Sequence, residues 1–208
     1  MTRYSSAAWR AYKPAANLVQ APVRNARSAA VPTRRAALRD CRVLGLDPGS
    51  LRTGFGVIDC RAGAEHYVAS GCINVKGEEL ALRLRRIFEA VQELIELHQP
   101  DEVAIERVFM HRNADSALKL GQARGAALCA AVGGGASAHE YAPRAIKLAV
   151  TGYGAAEKPQ VAQMVVTLLS LPRRPAADAA DALAVALCHA QSRRSLLLQS
   201  AALQGARR

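Results

Sequence analysis

Hydrophobic and polar positions divide residues 41–190 into a regular series of predicted elements. Three short apolar runs come first, separated by turn residues, and they predict strands at 42–47, 54–59 and 66–76. Helical periodicity then alternates with further short apolar runs. This pattern predicts helices at 79–98, 114–132, 143–150, 158–170 and 176–190, and strands at 102–106 and 137–141.

The order of these elements predicts the fold class. Three consecutive strands joined by short turns favour an antiparallel meander, and strands reached through helices join a sheet in parallel. We therefore predict an α/β domain with a mixed five-stranded sheet flanked by helices. No apolar run reaches the length of about 18 residues that a membrane-spanning helix needs, so no membrane partner is expected.

Charge is distributed unevenly along the 208 residues, whose net charge is +11. Residues 1–40 contain eight Lys or Arg and one acid, and residues 191–208 contain four Arg and no acid, which leaves 41–190 neutral. We predict a disordered basic extension at 1–40, one domain at 41–190 and a basic tail at 191–208. The composition of 1–40 also fits a transit peptide or a start site assigned too far upstream.

The cysteines and histidines supply little chemistry at this level. The five cysteines are scattered without a Cys-x-x-Cys pair, which argues against a disulfide framework or a zinc site and indicates a reducing compartment. Cys129 and Cys188 are predicted to be buried in helices. His139 and His189 are interpreted as structural.

Four carboxylates occupy positions that could bring them together. Asp47 and Glu106 end predicted strands, while Asp178 and Asp181 lie three residues apart on one helix face. Two like charges about 4 Å apart repel by about 4 kcal/mol at an effective dielectric constant near 20. A divalent cation would offset this repulsion, and oxygen ligands favour Mg²⁺ or Mn²⁺. Taken separately, the strand-end acid before a turn fits a solvated turn as well as a ligand site, and two acids at this helical spacing are usually solvated. Together the four acids indicate metal-dependent chemistry on phosphate.

Five segments of the chain carry a more specific pattern. They are LGLDPGS (44–50), TGFGVI (53–58), AIERVF (104–109), NADSALKLGQARG (113–125) and ADAADALA (177–184). In this order and without large insertions, they closely resemble the RuvC family, bacterial endonucleases that resolve four-way (Holliday) DNA junctions. The resemblance covers about 41–190. It implies a ribonuclease-H-like fold and a homodimer that cuts two opposing strands of the junction with Mg²⁺, for which Mn²⁺ substitutes.

The resemblance also assigns roles to individual residues. The family's catalytic acids match Asp47, Glu106, Asp178 and Asp181, which are expected to hold two divalent ions on either side of the scissile phosphodiester. Hydrolysis of this kind leaves a 5′-phosphate and a 3′-hydroxyl. It further implies recombination and repair in the bacterial cytoplasm, with the RuvA and RuvB branch-migration proteins as partners.

The expected DNA contacts come from loops and helices beside the acids. Lys147 and Lys158 match basic residues that face DNA in the family, and Phe109 is placed to stack on an unpaired base, or alternatively to anchor its loop in the core. Arg112 and Lys119 are predicted to contact phosphate. Arg124 is equally consistent with a phosphate contact and with a structural ion pair.

Two other functions are compatible with parts of this pattern. Asp-Pro-Gly-Ser followed by Gly-x-Gly also resembles the phosphate loop of sugar kinases, actin and Hsp70, which bind ATP between two related domains. A core of about 150 residues leaves no room for the second domain of that class. A non-catalytic junction-binding protein is the other alternative, and it would be expected to have lost one or more of the four acids.

Overall fold

A mixed sheet forms the centre of the molecule, seen in a computed structural model that describes residues 40–61, 63–77, 79–107 and 113–205. Within these residues the sheet has five strands in the order β3-β2-β1-β4-β5. The pairs β1–β2 and β2–β3 are antiparallel, whereas β1–β4 and β4–β5 are parallel, which confirms the predicted fold class. The strands are β1 (Cys41–Asp47), β2 (Arg52–Arg61), β3 (Ala64–Asn74), β4 (Glu102–Glu106) and β5 (Ser137–Tyr141).

The helices of the described residues follow the predicted order with one difference. They are α1 (Leu80–His98), α2 (Ala114–Gly133), α3 (Pro143–Thr151), α4 (Lys158–Leu168) and α5 (Ala177–Gly205). The predicted end of the last helix at residue 190 is wrong, because α5 continues to Gly205. Residues 191–204 contain no glycine or proline that would stop a helix.

The cysteines, the basic extension and the helix lengths can also be compared with the sequence predictions. Cys188 is buried as predicted, but Cys129 is exposed, so the prediction of burial for that residue was wrong. The basic extension at 1–40 lies, apart from Asp40, outside the described residues. None of the helices that the structure describes has the length and apolar character of a membrane span.

Alternating side chains divide the hydrophobic core between the two faces of the sheet. Leu44, Leu46 and Ile105 pack on one face with residues of α1 and α2. Val43 and Ala104 pack on the other face with residues of α3, α4 and α5. Because strand side chains alternate with a period of two, the residues that end β1 and β4 point to the α5 face.

Glycines let α5 lie unusually close to the sheet. A Cβ atom added at Gly45 would lie 2.2 Å from the carbonyl oxygen of Ala182, and one at Gly54 would lie 1.9 Å from that of Asp178. At Gly56 the added atom would lie 2.7 Å from the side chain of Leu183. Glycine at these three positions therefore fixes the height of α5 above the strands.

Candidate active site

Asp47 and Glu106 lie side by side at one edge of the sheet. The parallel register of β1 and β4 pairs Leu46 with Ile105, so the next residues in the two strands are neighbours. Both carboxylates point to the α5 face by the alternation described above. A sharp change of direction follows β1 at the Pro48-Gly49 turn, which leaves the end of the strand open to the crevice.

The start of α5 brings the two helical acids to the same edge. Gly54 pairs with Asp47 across β1 and β2, and the backbone of Asp178 packs directly on Gly54. Asp178 also has the thiol of Cys72 at 3.6 Å and the guanidinium of Arg52 at 3.8 Å from its Oδ2. The close approach of α5 to the sheet is therefore what places its acids above the strand ends.

The electrostatics of the site reflect this crowding. Burial above all, and then the nearby carboxylates of Glu106 and Asp181, raise the pKa of Asp47 to about 8. The pKa of Glu106 is also raised, first by burial and then by Asp181, although a hydrogen bond from the protonated carboxyl of Asp47 acts in the opposite direction. The site therefore binds protons more tightly than ordinary carboxylates do, which is the behaviour of a group that lacks a compensating cation.

Two lysines add positive charge near Glu106 and Asp181. The Nζ atom of Lys158 lies 2.6 Å from Oδ2 of Asp181, and this hydrogen bond raises the pKa of the lysine. The positive charges of Lys147 and Lys158 both lower the pKa of Glu106. Lys158 is the first residue of α4, where the backbone N–H of Glu157 donates to the side chain of Gln160 and fixes the start of the helix.

The remaining predicted DNA contacts divide into three cases. Lys119 lies on α2 and forms an exposed ion pair with Asp115, 2.6 Å between Nζ and Oδ2. Arg124 on α2 forms an ion pair with Glu140 on β5, which is the structural alternative given for this residue. Phe109 and Arg112 lie outside the described residues.

Two polar side chains at this edge escaped the sequence analysis. Cys72 on β3 and Arg52 at the start of β2 both contact Asp178. Burial and the adjacent carboxylate of Asp178 together raise the pKa of the Cys72 thiol. No spacing in the sequence connects residues 52, 72 and 178, and only the register of β2 with β3 brings the first two together.

The four acids form an open cluster. Elsewhere among the described residues, three metal-ligating side chains come closer together. One ligand atom from each of Glu102, His139 and His189 lies within 4.8 Å of the other two. At the open edge, the ammonium group of Lys158 already contacts one of the acids. Oxygen donors and incomplete charge compensation fit a hard divalent cation.

Fold and site together define the class of this protein. A mixed five-stranded sheet with acids at the ends of β1 and β4, and further acids on a helix packed across them, is the arrangement of ribonuclease-H-like, divalent-metal-dependent nucleases. The profile of the family "Crossover junction endodeoxyribonuclease RuvC" matches residues 43–189. The chain belongs to the RuvC family.

Individual relatives agree with this assignment. A crossover junction endodeoxyribonuclease RuvC of Aliivibrio salmonicida is 54% identical over 166 residues, which cover 80% of this chain and 96% of the relative. The corresponding protein of Shewanella piezotolerans is 56% identical over 154 residues, covering 74% and 89%.

Solved structures give the same result. Thermus thermophilus RuvC in complex with a Holliday junction substrate is 35% identical, with a TM-score of 0.70 over 75% of this chain and 97% of that chain. The yeast mitochondrial Holliday junction resolvase has a TM-score of 0.55 over 75% of this chain and 82% of that chain. Its identity is 11%, so it supports the fold alone.

Proposed function

We propose that this protein is a crossover junction endodeoxyribonuclease that resolves four-way DNA junctions by symmetric, metal-dependent phosphodiester hydrolysis in recombination and repair. The observation that carries the proposal is the convergence of Asp47, Glu106, Asp178 and Asp181 at one edge of the sheet, in a chain that belongs to the RuvC family. The products would carry 5′-phosphate and 3′-hydroxyl ends.

The four acids are proposed as the catalytic metal ligands. They fit two Mg²⁺ ions, with Mn²⁺ as a substitute, because oxygen donors select hard cations and the raised pKa values of Asp47 and Glu106 mark charge that awaits compensation. Bound metal ions of this kind lower the pKa of an attacking water and stabilise the leaving 3′ oxygen.

The protein's own groups have separate tasks in this mechanism. Asp47 gives up its carboxyl proton when the site is loaded, since a cation favours the ionised form. Lys158 releases Oδ2 of Asp181 and is then free to contact a phosphate of the DNA. The positive charge of Lys147 lowers the pKa of Glu106, and it would also reduce the negative potential that a DNA phosphate meets near Glu106.

A groove beside the acids extends the proposed DNA path to the other flank. It lies between β3 and the connection before α5, has a volume of about 510 Å³, and is lined in part by Tyr67, Arg173 and Arg174. Ala179, next to Asp178, also lines it. Basic side chains on both flanks of the acids suit a phosphate backbone that crosses the site. Phe109, Arg112 and Lys119 complete the proposed DNA contacts, with Phe109 stacking on a base at the junction centre.

Symmetric cleavage requires two copies of the site. We therefore propose a homodimer, because a two-fold axis would present one acid cluster to each of two opposing strands. The domain at 41–190 would carry the activity, with the basic segments 1–40 and 191–208 outside it. RuvA and RuvB as partners and a location in the bacterial cytoplasm follow from the family.

The deciding experiment is cleavage of a labelled synthetic four-way junction by the purified protein with Mg²⁺. We expect Asp47→Asn to lower the cleavage rate by on the order of 10³-fold, since it removes several kcal/mol of transition-state stabilisation, while junction binding persists. Asp101→Asn is the matched control. Asp101 lies just before β4, and its side chain accepts a hydrogen bond from the backbone N–H of Arg42 on β1. This variant should cut like the wild type.

Three outcomes would contradict the proposal. Equal cleavage by the wild type and Asp47→Asn would remove the acids from the mechanism. Junction binding without cleavage by the wild type would favour a non-catalytic binding protein. ATP hydrolysis without junction cleavage would favour the kinase-like alternative.

A further inference from the structure

A second polar cluster occupies the opposite end of the same sheet face. Glu102 begins β4, four residues before Glu106, which places the two glutamates about 13 Å apart along the strand. His139 lies on β5 opposite Ala104, and His189 lies on α5. One ligand atom from each of Glu102, His139 and His189 lies within 4.8 Å of the other two.

Three different elements position these side chains. The parallel register of β4 and β5 and the alternation of side chains direct Glu102 and His139 toward α5. His189 is 3% exposed, and its ring centroid lies 4.6 Å from that of His139. His139 is exposed at the edge strand of the sheet, so the cluster has a buried member, a partly buried member and one that solvent reaches.

The partners of His189 leave one ring nitrogen facing the cluster. Its Nδ1 lies 2.7 Å from the hydroxyl of Tyr141, and its Nε2 lies 2.5 Å from Oε2 of Glu102. If Nδ1 donates its proton to Tyr141, either a second proton or a metal ion must lie between Nε2 and the carboxylate of Glu102. A second-sphere hydrogen bond that fixes the tautomer in this way is typical of metal-bound histidine.

Arg193 determines which oxygen of the carboxylate is available. Its Nε lies 3.3 Å from Oε1 of Glu102, on the other oxygen from the one that faces His189. The guanidinium also adds positive charge close to the cluster, which opposes a second cation. A metal must therefore bind through the strong bonds that two imidazoles provide, and a weakly held hard ion would not suffice.

We propose that Glu102, His139 and His189 bind one transition-metal ion of the borderline class, such as Zn²⁺ or Co²⁺. Two imidazoles and one carboxylate are a common ligand set for such ions, and water would fill the fourth position at the exposed side. Ligand atoms about 2.0–2.1 Å from zinc lie about 3.3–3.5 Å apart in a tetrahedron, so the three side chains need to shift only slightly. Metal binding would displace the proton between Nε2 and Oε2 to solvent.

The site differs from the acid cluster in the ions it selects. The acids offer only oxygen donors, which suit Mg²⁺, whereas two imidazole nitrogens favour Zn²⁺ or Co²⁺. A metal held by Glu102, His139 and His189 would join β4, β5 and α5 at the end of the sheet away from the acids. We expect it to stabilise the fold without taking part in DNA cleavage.

The test is titration of the full-length protein with Co²⁺ in excess Mg²⁺, which occupies the acids, while visible absorption is recorded. Wild type should bind one Co²⁺ with the intense spectrum of a nitrogen-ligated, four-coordinate ion, and Zn²⁺ should displace it. In His139→Phe the spectrum should be lost or the affinity should fall by at least about 10-fold. His66→Phe is the matched control, since it removes another exposed strand histidine, and should behave like the wild type.

Further measurements separate metal binding from folding. His139→Phe is expected to keep the melting temperature of metal-free wild type and its Mg²⁺-dependent junction cleavage, because His139 is exposed on the edge strand and its ring packs on His189. Zn²⁺ should raise the melting temperature of wild type but not of His139→Phe or Glu102→Gln. Equal Co²⁺ affinity in wild type and His139→Phe, or the absence of a nitrogen-ligated spectrum in wild type, would overturn the proposal.

Discussion

Strand β4 carries a glutamate at each end, on the same face of the sheet, and the two glutamates have opposite surroundings. Around Glu106, burial and the charge of Asp181 raise the pKa of the carboxyl. Around Glu102, burial alone would raise the pKa, but the hydrogen bond from His189 and the charges of His189 and Arg193 lower it. At one end of the strand the positive charge of the nearby lysines is too little to offset burial and crowding, whereas at the other end the protein supplies enough.

This difference separates a site whose carboxylates the protein compensates only in part from one where, in the metal-free protein, His189 and Arg193 compensate the carboxylate. Between the two glutamates on this face of β4 lies Ala104, which belongs to an apolar cluster that also contains Leu187. The acid end, formed by Asp47, Glu106, Asp178 and Asp181, loses stability because Asp47 and Glu106 are buried and lie close to other carboxylates, a cost that proteins accept mainly at functional sites. The histidine end, formed by Glu102, His139 and His189, contributes to stability through charge-assisted hydrogen bonds.

The largest expected effect comes from removing one negative charge at each end of β4. Glu106→Gln should lower junction cleavage by on the order of 10³-fold, because a catalytic metal ligand is weakened. Glu102→Gln should cut at nearly the wild-type rate but lower the free energy of unfolding by about 1–2 kcal/mol, since a charge-assisted hydrogen bond to buried His189 is lost. Cleavage assays and urea unfolding of both variants measure the two effects.

A folded Glu102→Gln variant that loses cleavage as completely as Glu106→Gln would break the comparison. The same is true of a Glu106→Gln variant that is destabilised as strongly as Glu102→Gln. Removing a crowded negative charge should leave stability unchanged or raise it.

The second effect tests what holds the acid end in place. Gly54→Ala would put a Cβ atom 1.9 Å from the backbone oxygen of Asp178, so the start of α5 must move away from the sheet. We expect cleavage to fall by about 10- to 100-fold, as for other misplacements near 1 Å, and the free energy of unfolding to fall by about 1–3 kcal/mol. Initial cleavage rates and urea midpoints provide the measurements.

Gly133→Ala is the control for this substitution. It also adds a methyl group to a glycine, but no atom lies within 4 Å of the added Cβ. Its stability should stay within about 0.5 kcal/mol of wild type and its cleavage rate should not change. Full activity in Gly54→Ala would show that the height of α5 above β2 does not control the acids.

Much of the acid end could be predicted from the sequence because local rules place its members. Asp47 and Glu106 each follow a run of strand residues, and parallel strands end at the same edge of a sheet. The helical pair at 178 and 181 needed the family pattern as well, because spacing alone also fits a solvated surface. The contact of Lys158 with Asp181 joins residues 23 positions apart on separate helices, and only tertiary packing creates it.

The histidine end could not be predicted, for a physical reason. Glu102, His139 and His189 come from three elements, so no fixed spacing connects them in the sequence. The cluster follows from the register of β4 with β5 and from the path of α5 across the sheet. One feature of the sequence could have indicated this cluster. Glu102 and His139 are polar residues at strand positions whose side chains alternation directs toward α5. The structural interpretation of both histidines stays compatible with their hydrogen bonds and ring contact.

The smallest expected effect is a pH dependence of stability that differs between the two ends in the metal-free protein. The folded-state pKa of Asp47 is raised from 3.8 to about 8, so between these values the folded protein keeps a proton that the unfolded chain has released. Stability must therefore fall as pH rises through this window. The lowered pKa of Glu102 acts in the other direction and only at acidic pH, where stability is lost as the pH falls through its folded-state pKa.

Melting temperatures from pH 5 to pH 8 in the presence of a chelator test this sign. Wild type should melt at a lower temperature at pH 8 than at pH 5, while Asp47→Asn, which cannot titrate at this position, should show a flatter profile. Saturating Mg²⁺ should flatten the wild-type profile too, because the ion replaces the proton as the compensating charge. A wild-type profile no steeper than that of Asp47→Asn would show that burial and the neighbouring carboxylates do not raise the pKa of Asp47, and it would remove the electrostatic contrast between the two ends of β4.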